Sequence, residues 1–249
     1  MTISEVQKLT ANVEGFLSQN GTTLREGEVL YYLARRSAQR GKIVEIGSWK
    51  GKSTIWLGVG SASGPKSQIY AIDHHTGSSE HRQTGKVWTF PEFQQNISKA
   101  KLDSLVHPIL KNSLEGAQDI ESMVDLIFID GSHEYEYVRQ DFETWFPKLM
   151  NGGTLAFHDS FWPGVRKVVH QKVFKSPYFK KARYVNSIVY AIKTEKATYL
   201  ERIENRFSLL IKQIHWISLY LPQPFKSLIK KGIWRPFQRK WLNRLSIAE

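Results

Sequence analysis

Asp130 and His133 stand three residues apart in DLIFIDGSHEYEYVRQDF (125–142), directly after an apolar run at 126–129. A carboxylate at the tip of a buried strand, followed by an imidazole, suits proton transfer. Histidine titrates near neutral pH, and a carboxylate can hold a cation or orient the ring. Other strand-like runs end in the same way. KIVEIG (42–47) carries Glu45 and Gly47, and QIYAID (68–73) ends on Asp73 with His74 after it. HPILKN (107–112) ends on Asn112 with Ser113 next, and GTLAFHD (153–159) closes on His158 and Asp159. Any one of these groups could simply cap a following helix. Five polar strand ends in succession are what a binding site at the carboxyl edge of a parallel sheet needs.

The elements that must position these residues alternate. SEVQKLTANVEGFL places Val6, Leu9, Val13 and Leu17 at helical spacing, with Asn20-Gly21 as a stop. A second helix begins at Thr23, with Glu26 as a capping-box partner, and runs towards Gly41. EYVRQDFETWFPKL repeats Val138, Phe142, Trp145 and Leu149 as a third helical face, and ARYVNSIVYAIK (182–193) reads as two strands around a tight Asn186-Ser187 turn. Strands separated by helical segments imply an α/β fold: a mostly parallel sheet covered on both faces.

The first loop, VEIGSWKGKSTIWLG, has the form Glu45-x-Gly47-x-x-x-Gly51. Gly47 permits a sharp turn, Gly51 allows close backbone approach, and Ser53 and Thr54 offer hydroxyls at a helix start. The loop is neither G-x-G-x-x-G nor a Walker loop, and Glu45 would repel a phosphate. Asp73, one half-unit later, is placed for ribose hydroxyls. An acid there without a phosphate cradle points to a nucleoside.

These motifs, with IDGSHEYE and NGGTLAFHD, resemble the class I S-adenosylmethionine-dependent methyltransferases, and residues 40–193 are similar to their small-molecule O-methyltransferase branch (methyltransferase domain 24). The resemblance implies a Rossmann-like seven-stranded sheet whose last strand is antiparallel, and S-adenosyl-L-methionine as cofactor. Gly47 and Gly51 would flank its methionine part, Asp73 its ribose, and Asn112 with Ser113 its adenine. The full cofactor set expected is Glu45, Gly47, Ser48, Gly51, Ser53, Asp73, His74, Asn112, Ser113 and Asp130. Asp130-x-x-His133 is similar to the metal-dependent macrolide-sugar O-methyltransferases, which implies His133 as general base with Asp130 beside it. Their acidic pair after the fifth strand is matched only by Asp159, because His158 stands where an acid is expected. A metal at Asp130, Asp159 and His158 is therefore Mg²⁺ or, with the softer imidazole, Mn²⁺ or Fe²⁺, and a metal-free reaction stays open. The histidine-rich stretch 74–85 reads as an active-site loop with His74 or His75 near the substrate, not as a zinc tract.

The chain has 249 residues and no cysteine, so disulfides and thiolate metal sites are excluded. No secretory leader is evident, and no apolar run is long enough to span a bilayer. The expected location is cytoplasmic, with contact at the inner face of the membrane. The formal net charge of +12 is unevenly placed: residues 165–249 hold 19 Lys+Arg against 4 Asp+Glu, giving +15 and leaving −3 for residues 1–164. In that basic third, Leu200, Ile203, Phe207, Leu210, Ile214, Ile217 and Leu221 form a heptad seam, open to packing on the domain or to a homodimer through 199–221. Residues 222–245 interleave aromatics with lysines and arginines, the pattern of a peripheral contact with an anionic membrane. The organisation expected is a helical cap (1–40), an S-adenosylmethionine-binding domain (41–194) and a basic amphipathic extension (195–249). The leading function is O-methylation of a hydroxylated small molecule, sugar or glycan. The rivals are an RNA methyltransferase or RNA-binding module using the basic third, and a lipid-anchored structural protein. No Asn/Asp-Pro-Pro-aromatic motif follows the fourth strand, and carboxylates at the site would repel phosphates, so a nucleic-acid partner is disfavoured.

Overall fold

A computed structural model describes residues 1–13, 22–37, 41–77, 86–121 and 124–246. Among them is a seven-stranded sheet in the order β3-β2-β1-β4-β5-β7-β6. The strands are β1 (Lys42–Ile46), β2 (Ile69–Ile72), β3 (Val106–Ile109), β4 (Val124–Ile129), β5 (Leu149–Phe157), β6 (Phe179–Val185) and β7 (Ile188–Lys193). β1 to β5 are parallel, and β7 runs antiparallel to both β5 and β6. The Rossmann-like sheet with an antiparallel last strand is as the resemblance implied.

Alternation along each strand divides the core. Val44, Ile127, Ile129, Leu155 and Phe157 face a layer built by the helices Tyr135–Trp145 and Pro163–Val168, the latter extended by a π-helical turn to Phe174. Ile43, Leu126, Phe128 and Ala156 face the opposite layer, built by Leu24–Arg35, Lys52–Ala62 and Phe90–Lys99. The N-terminal helices enter this second layer through Val6, Val29 and Leu30. The C-terminal helices enter the first through Leu209, Ile211, Trp234 and Trp241. Fully burying an apolar side chain of this size contributes about 1.5–3 kcal/mol, so these outer helices are held by the same apolar layers as the sheet.

The boundaries differ from the sequence reading at two places. The first helix ends at Ala11, and Leu17 with its Asn20-Gly21 stop lies outside the described residues. Leu149 opens β5 instead of closing the preceding helix, because Pro147 turns the chain into a 3-10 segment at Phe146–Lys148.

What positions the site is the ladder running one residue past each strand. The backbone N–H groups of Gly47, Asp73, Asp130 and His158 donate to Ile72, Ile109, Ile46 and Ile129 at 2.9, 3.1, 2.8 and 3.0 Å. Each loop therefore leaves the sheet from a fixed point, and four chemically active residues share one edge.

Candidate active site

A cavity of about 670 Å³ opens at that edge. Gly47, Ser48, Ser53, Asp73, His74, Asn112 and Ser113 line one side. Asp130, His133, His158 and Asp159 line its middle. Two residues expected at the cofactor do not line it. Glu45 is fully buried, because its strand position points towards the Lys52–Ala62 helix, where its carboxylate accepts from Thr54 Oγ1. Burial pushes its carboxyl up to about 8 against the hydroxyls of Ser53 and Thr54, and the charges of Asp130 and Asp73 add to the rise. Gly51, at φ +86°, is the left-handed cap of the same helix, and a Cβ there would meet the Phe93 ring at 3.2 Å. Its role is conformational.

Gly47 has φ +85°, and a Cβ would fall 2.4 Å from the carbonyl oxygen of Asp130. The first and fourth loops therefore touch through this glycine. Asp73 fixes the first loop from the other side: one oxygen accepts from the N–H groups of Ser48 (3.0 Å) and Trp49 (2.8 Å), the other from His75 (2.7 Å). A carboxylate has about four acceptor sites, so capacity remains for ribose hydroxyls. Asn112 caps the Ser113–Gly116 turn by accepting from Glu115 N, and Ser113 Oγ accepts from Trp145 Nε1 at 2.8 Å. Sequence reasoning missed Asp141, which lines the cavity beside Ser113 and whose carboxyl is raised to about 6 by burial, against the Ser113 hydroxyl. His74 lines the cavity, whereas His75 is buried among Trp88, Phe90 and Phe93 with its Nδ1 2.9 Å from Thr89 Oγ1. The rest of the histidine-rich stretch, 78–85, lies outside the described residues.

The centre is a cluster of carboxylates and imidazoles. His158 Nδ1 lies 3.2 Å from Asp130 Oδ1 and 3.1 Å from Asp159 Oδ2, and its Nε2 is 3.6 Å from Glu26 Oε2. His133 Nε2 lies 3.1 Å from the same Asp159 oxygen, and its ring stacks on Trp162 at 4.7 Å. Asp159 adopts φ +48°, a conformation an aspartate holds only when its surroundings require it. Burial would lower the His158 pKa, but the three carboxylates overcome it and raise the ring well above the ordinary range. Burial would likewise raise Asp159, yet His133 and His158 hold it low, while burial keeps Asp130 raised despite His158.

Glu26 was legible as a capping residue, and its Oε2 does accept from Thr23 N (2.8 Å) and Thr23 Oγ1 (2.7 Å). Its Oε1 also accepts from Ser187 N (2.8 Å) and Ser187 Oγ (2.6 Å). Burial opposes ionisation, but His158, then Ser187 and Thr23, hold its carboxyl at about 2. It ties the N-terminal helix, the β6–β7 turn and His158 together, and only the first of these links is local.

The remaining wall was not foreseen. Trp162, Asn186, His215, Leu219 and Trp234 line it, the last three from the extension expected to lie apart from the chemistry. The helix Tyr199–Ser218 packs its polar face inward, with Lys212 donating to Ser160 O at 3.0 Å and its ammonium 3.9 Å from the Phe161 ring. His215 stacks on Trp234 at 4.0 Å, and burial, with the charges of Lys212 and Lys230, pushes its pKa down to about 4. With its amide oriented oxygen-inward, Gln238 accepts from Asn186 N (2.6 Å) and Trp234 Nε1 (2.9 Å). These contacts span more of the chain than any spacing rule reads.

Asp130, His158 and Asp159 fit a divalent cation. Their donor atoms lie within 4.8 Å of one another. His158 Nδ1 is buried between two carboxylate oxygens, so a cation binding there would replace the proton that those carboxylates hold on the ring. Those separations of 3.1 and 3.2 Å match the edge between adjacent ligands held about 2.1 Å from an octahedral ion.

Comparison with known proteins bears on the fold and on residues 44–160. Residues 44–160 match the family described as a methyltransferase domain. An uncharacterized protein, y4gI, of Sinorhizobium fredii is 28% identical over 146 residues, 58% of this chain but only 16% of that relative's length. The O-methyltransferase NovP superposes with a TM-score of 0.58 at 16% identity, covering 72% of this chain and 84% of that one. The O-methyltransferase TomG of Streptomyces achromogenes, solved with S-adenosylmethionine, gives 0.55 at 16% identity over 77% and 89%. The sequence match to a methyltransferase domain is confined to residues 44–160, and the likeness in fold to these solved structures extends over about three quarters of the chain.

Proposed function

We propose that this chain is an S-adenosylmethionine-dependent O-methyltransferase acting on a hydroxylated small molecule, sugar or glycan. The observation that carries the reading is that one cavity holds both the Asp73-braced loop and the Asp130–His133–His158–Asp159 cluster. TomG, of the same fold, binds S-adenosylmethionine, and 670 Å³ lies in the range of small-molecule sites. Carboxylates at the centre disfavour a nucleic-acid acceptor.

S-adenosylmethionine would supply an electrophilic methyl group, and Asp130, His158 and Asp159 would hold a divalent cation whose positive charge would favour ionisation of the acceptor hydroxyl. The protein's own residues do the rest. Gly47, Ser48 and Asp73 present the first loop to the nucleoside. Asp159 orients His133, which takes the acceptor's proton as its oxygen bonds to the methyl carbon and the carbon–sulfur bond breaks. The resulting imidazolium is stabilised by Asp159, and Trp162 fixes the ring plane. Trp162, Trp234 and Leu219 give the cavity an apolar wall beside the reacting groups.

Calorimetry with S-adenosylmethionine and S-adenosylhomocysteine tests the cofactor, and an absence of heat with both defeats the reading. Incubation with methyl-labelled cofactor and fractionated small-molecule extracts then identifies the acceptor. Excess EDTA should abolish turnover, and full activity in it retires the cation while leaving His133 as base.

A further inference from the structure

The helix Tyr199–Ser218 buries a mixed face, Asn205, Ser208, Lys212, His215 and Ser218 with only Leu209 and Ile211 apolar, whereas most of the heptad seam faces away. Leu200 is 73% exposed, Leu210 50% and Ile217 54%. The next helix, Gln223–Ile229, continues the pattern with Phe225 and Leu228 at 59% and 70%. A helix stable on its own domain buries its main apolar face; here Leu209 and Ile211 enter the core while the longer heptad seam is presented outward. Large contiguous apolar exposure of this kind marks an interaction surface.

We propose that the outward face of residues 199–240 docks on an anionic lipid bilayer, lying in the headgroup plane. The charge decides the occupant. Within 199–240 nine lysines and arginines stand against two acids, Glu201 and Glu204, both near the start of the helix Tyr199–Ser218. Lys231, Arg235, Arg239 and Lys240 are exposed on the segment that follows the apolar residues. Apolar side chains with flanking cations are the pattern of an interfacial helix. No helix among the described residues is long and apolar enough to cross a membrane, so the contact is peripheral. A second copy fits less well. Symmetric pairing would set these cations against only Glu201 and Glu204 of each chain, the latter already paired with Arg183, and the seam lies on a helix of only 20 residues that stops before Pro222.

The surface is separate in its readout from methyl transfer, so the test reads lipid binding alone. Full-length protein is sedimented with vesicles of phosphatidylcholine and with vesicles containing phosphatidylglycerol, and its mass in lipid-free buffer is measured by analytical ultracentrifugation. The expected result is a monomer that pellets with the anionic vesicles only, with binding weakened at least tenfold at ~1 M salt, where the Debye length is about 3 Å. L200S/L210S/L228S and K231Q/R235Q/R239Q/K240Q each lower anionic-vesicle binding by about tenfold or more with the thermal melt unchanged. The second variant keeps the test decisive should the first fail to fold. Equal pelleting with both vesicle types, pelleting with neither, or a lipid-free dimer that L200S/L210S/L228S dissociates overturns the proposal, the last in favour of a second copy.

Discussion

On the side of the cavity proposed for the cofactor, backbone groups set the geometry, in contrast to the side proposed for the acceptor. Three N–H groups converge on Asp73, and Gly47 sits where any Cβ would strike the Asp130 carbonyl. On the acceptor side, side chains set it. Glu26, His158 and Ser187 hold one another, and His215 holds Trp234, which reaches the Asn186-Ser187 turn through Gln238; all come from separate stretches of chain. The cofactor side should therefore fail all at once when its loop is disturbed, because the backbone cannot yield locally. The acceptor side should fail by degrees, one contact at a time.

The largest expected effect tests the first half of that contrast. In Gly47→Val, a branched side chain is placed at φ +85° and against the Asp130 backbone. Cofactor affinity should fall by at least about 100-fold, roughly 3 kcal/mol or more. Calorimetry with S-adenosylhomocysteine reads it, beside circular dichroism to show that the sheet persists. Near-normal affinity would mean that the loop is softer than Asp73 and Gly47 make it.

The same contrast explains what was legible. Gly47 and Ser48 follow directly after β1 and Asp73 directly after β2, so their places at the cavity edge could be read from spacing, as could the strand ends Asp130 and Asp159 and the Asn186-Ser187 turn. Glu45 was misplaced because pattern alone does not say which face of a strand an acid occupies, and here it points under the helix. Glu26, His215 and Trp234 were invisible as site residues because each reaches the cavity through tertiary packing. The heptad of the C-terminal helix was visible, yet its direction was not: buried polar residues on the opposite face reversed the usual sense.

His133→Ala comes next in size. With the base removed and Asp73 untouched, turnover should drop by about 10²–10⁴ while cofactor affinity is retained. Single-turnover kinetics and calorimetry on the same sample separate the two. Unchanged turnover removes His133 from the chemistry. A parallel loss of cofactor affinity instead shows that the two halves are coupled.

Trp234→Ala probes the acceptor wall from its far end. Trp234 is a buried aromatic that stacks on His215 and donates to Gln238, and it lines the cavity without touching the cofactor loop. Its loss should raise KM for the acceptor by about tenfold, some 1.4 kcal/mol, with kcat changed little. An equal fall in kcat would place Trp234 in the chemical step.

The smallest effect concerns Lys212, which supports that wall from beneath. Its ammonium is buried against Ser160 O and the Phe161 ring, and burial, then the charge of Arg166, lowers its pKa to about 7. In the unfolded chain the group titrates at about 10.4. Between those values the unfolded state binds more protons than the folded one, so stability rises with pH across about 7 to 10.4. Below that window both states are charged and the full cost of the buried cation persists. Lys212→Met removes the titrating group and keeps the volume, so the variant should lose this upward slope and gain stability at pH 7. Every tenfold by which folding weakens the hold on that proton is worth about 1.4 kcal/mol, and the lost hydrogen bond to Ser160 returns about 1 kcal/mol of the gain. A net increase of a few degrees in Tm at pH 7, shrinking towards pH 10, is the expected difference between the two proteins. Parallel pH profiles would show that Lys212 is charged and well solvated in the folded protein, and that the acceptor wall rests on an ion instead of on packing.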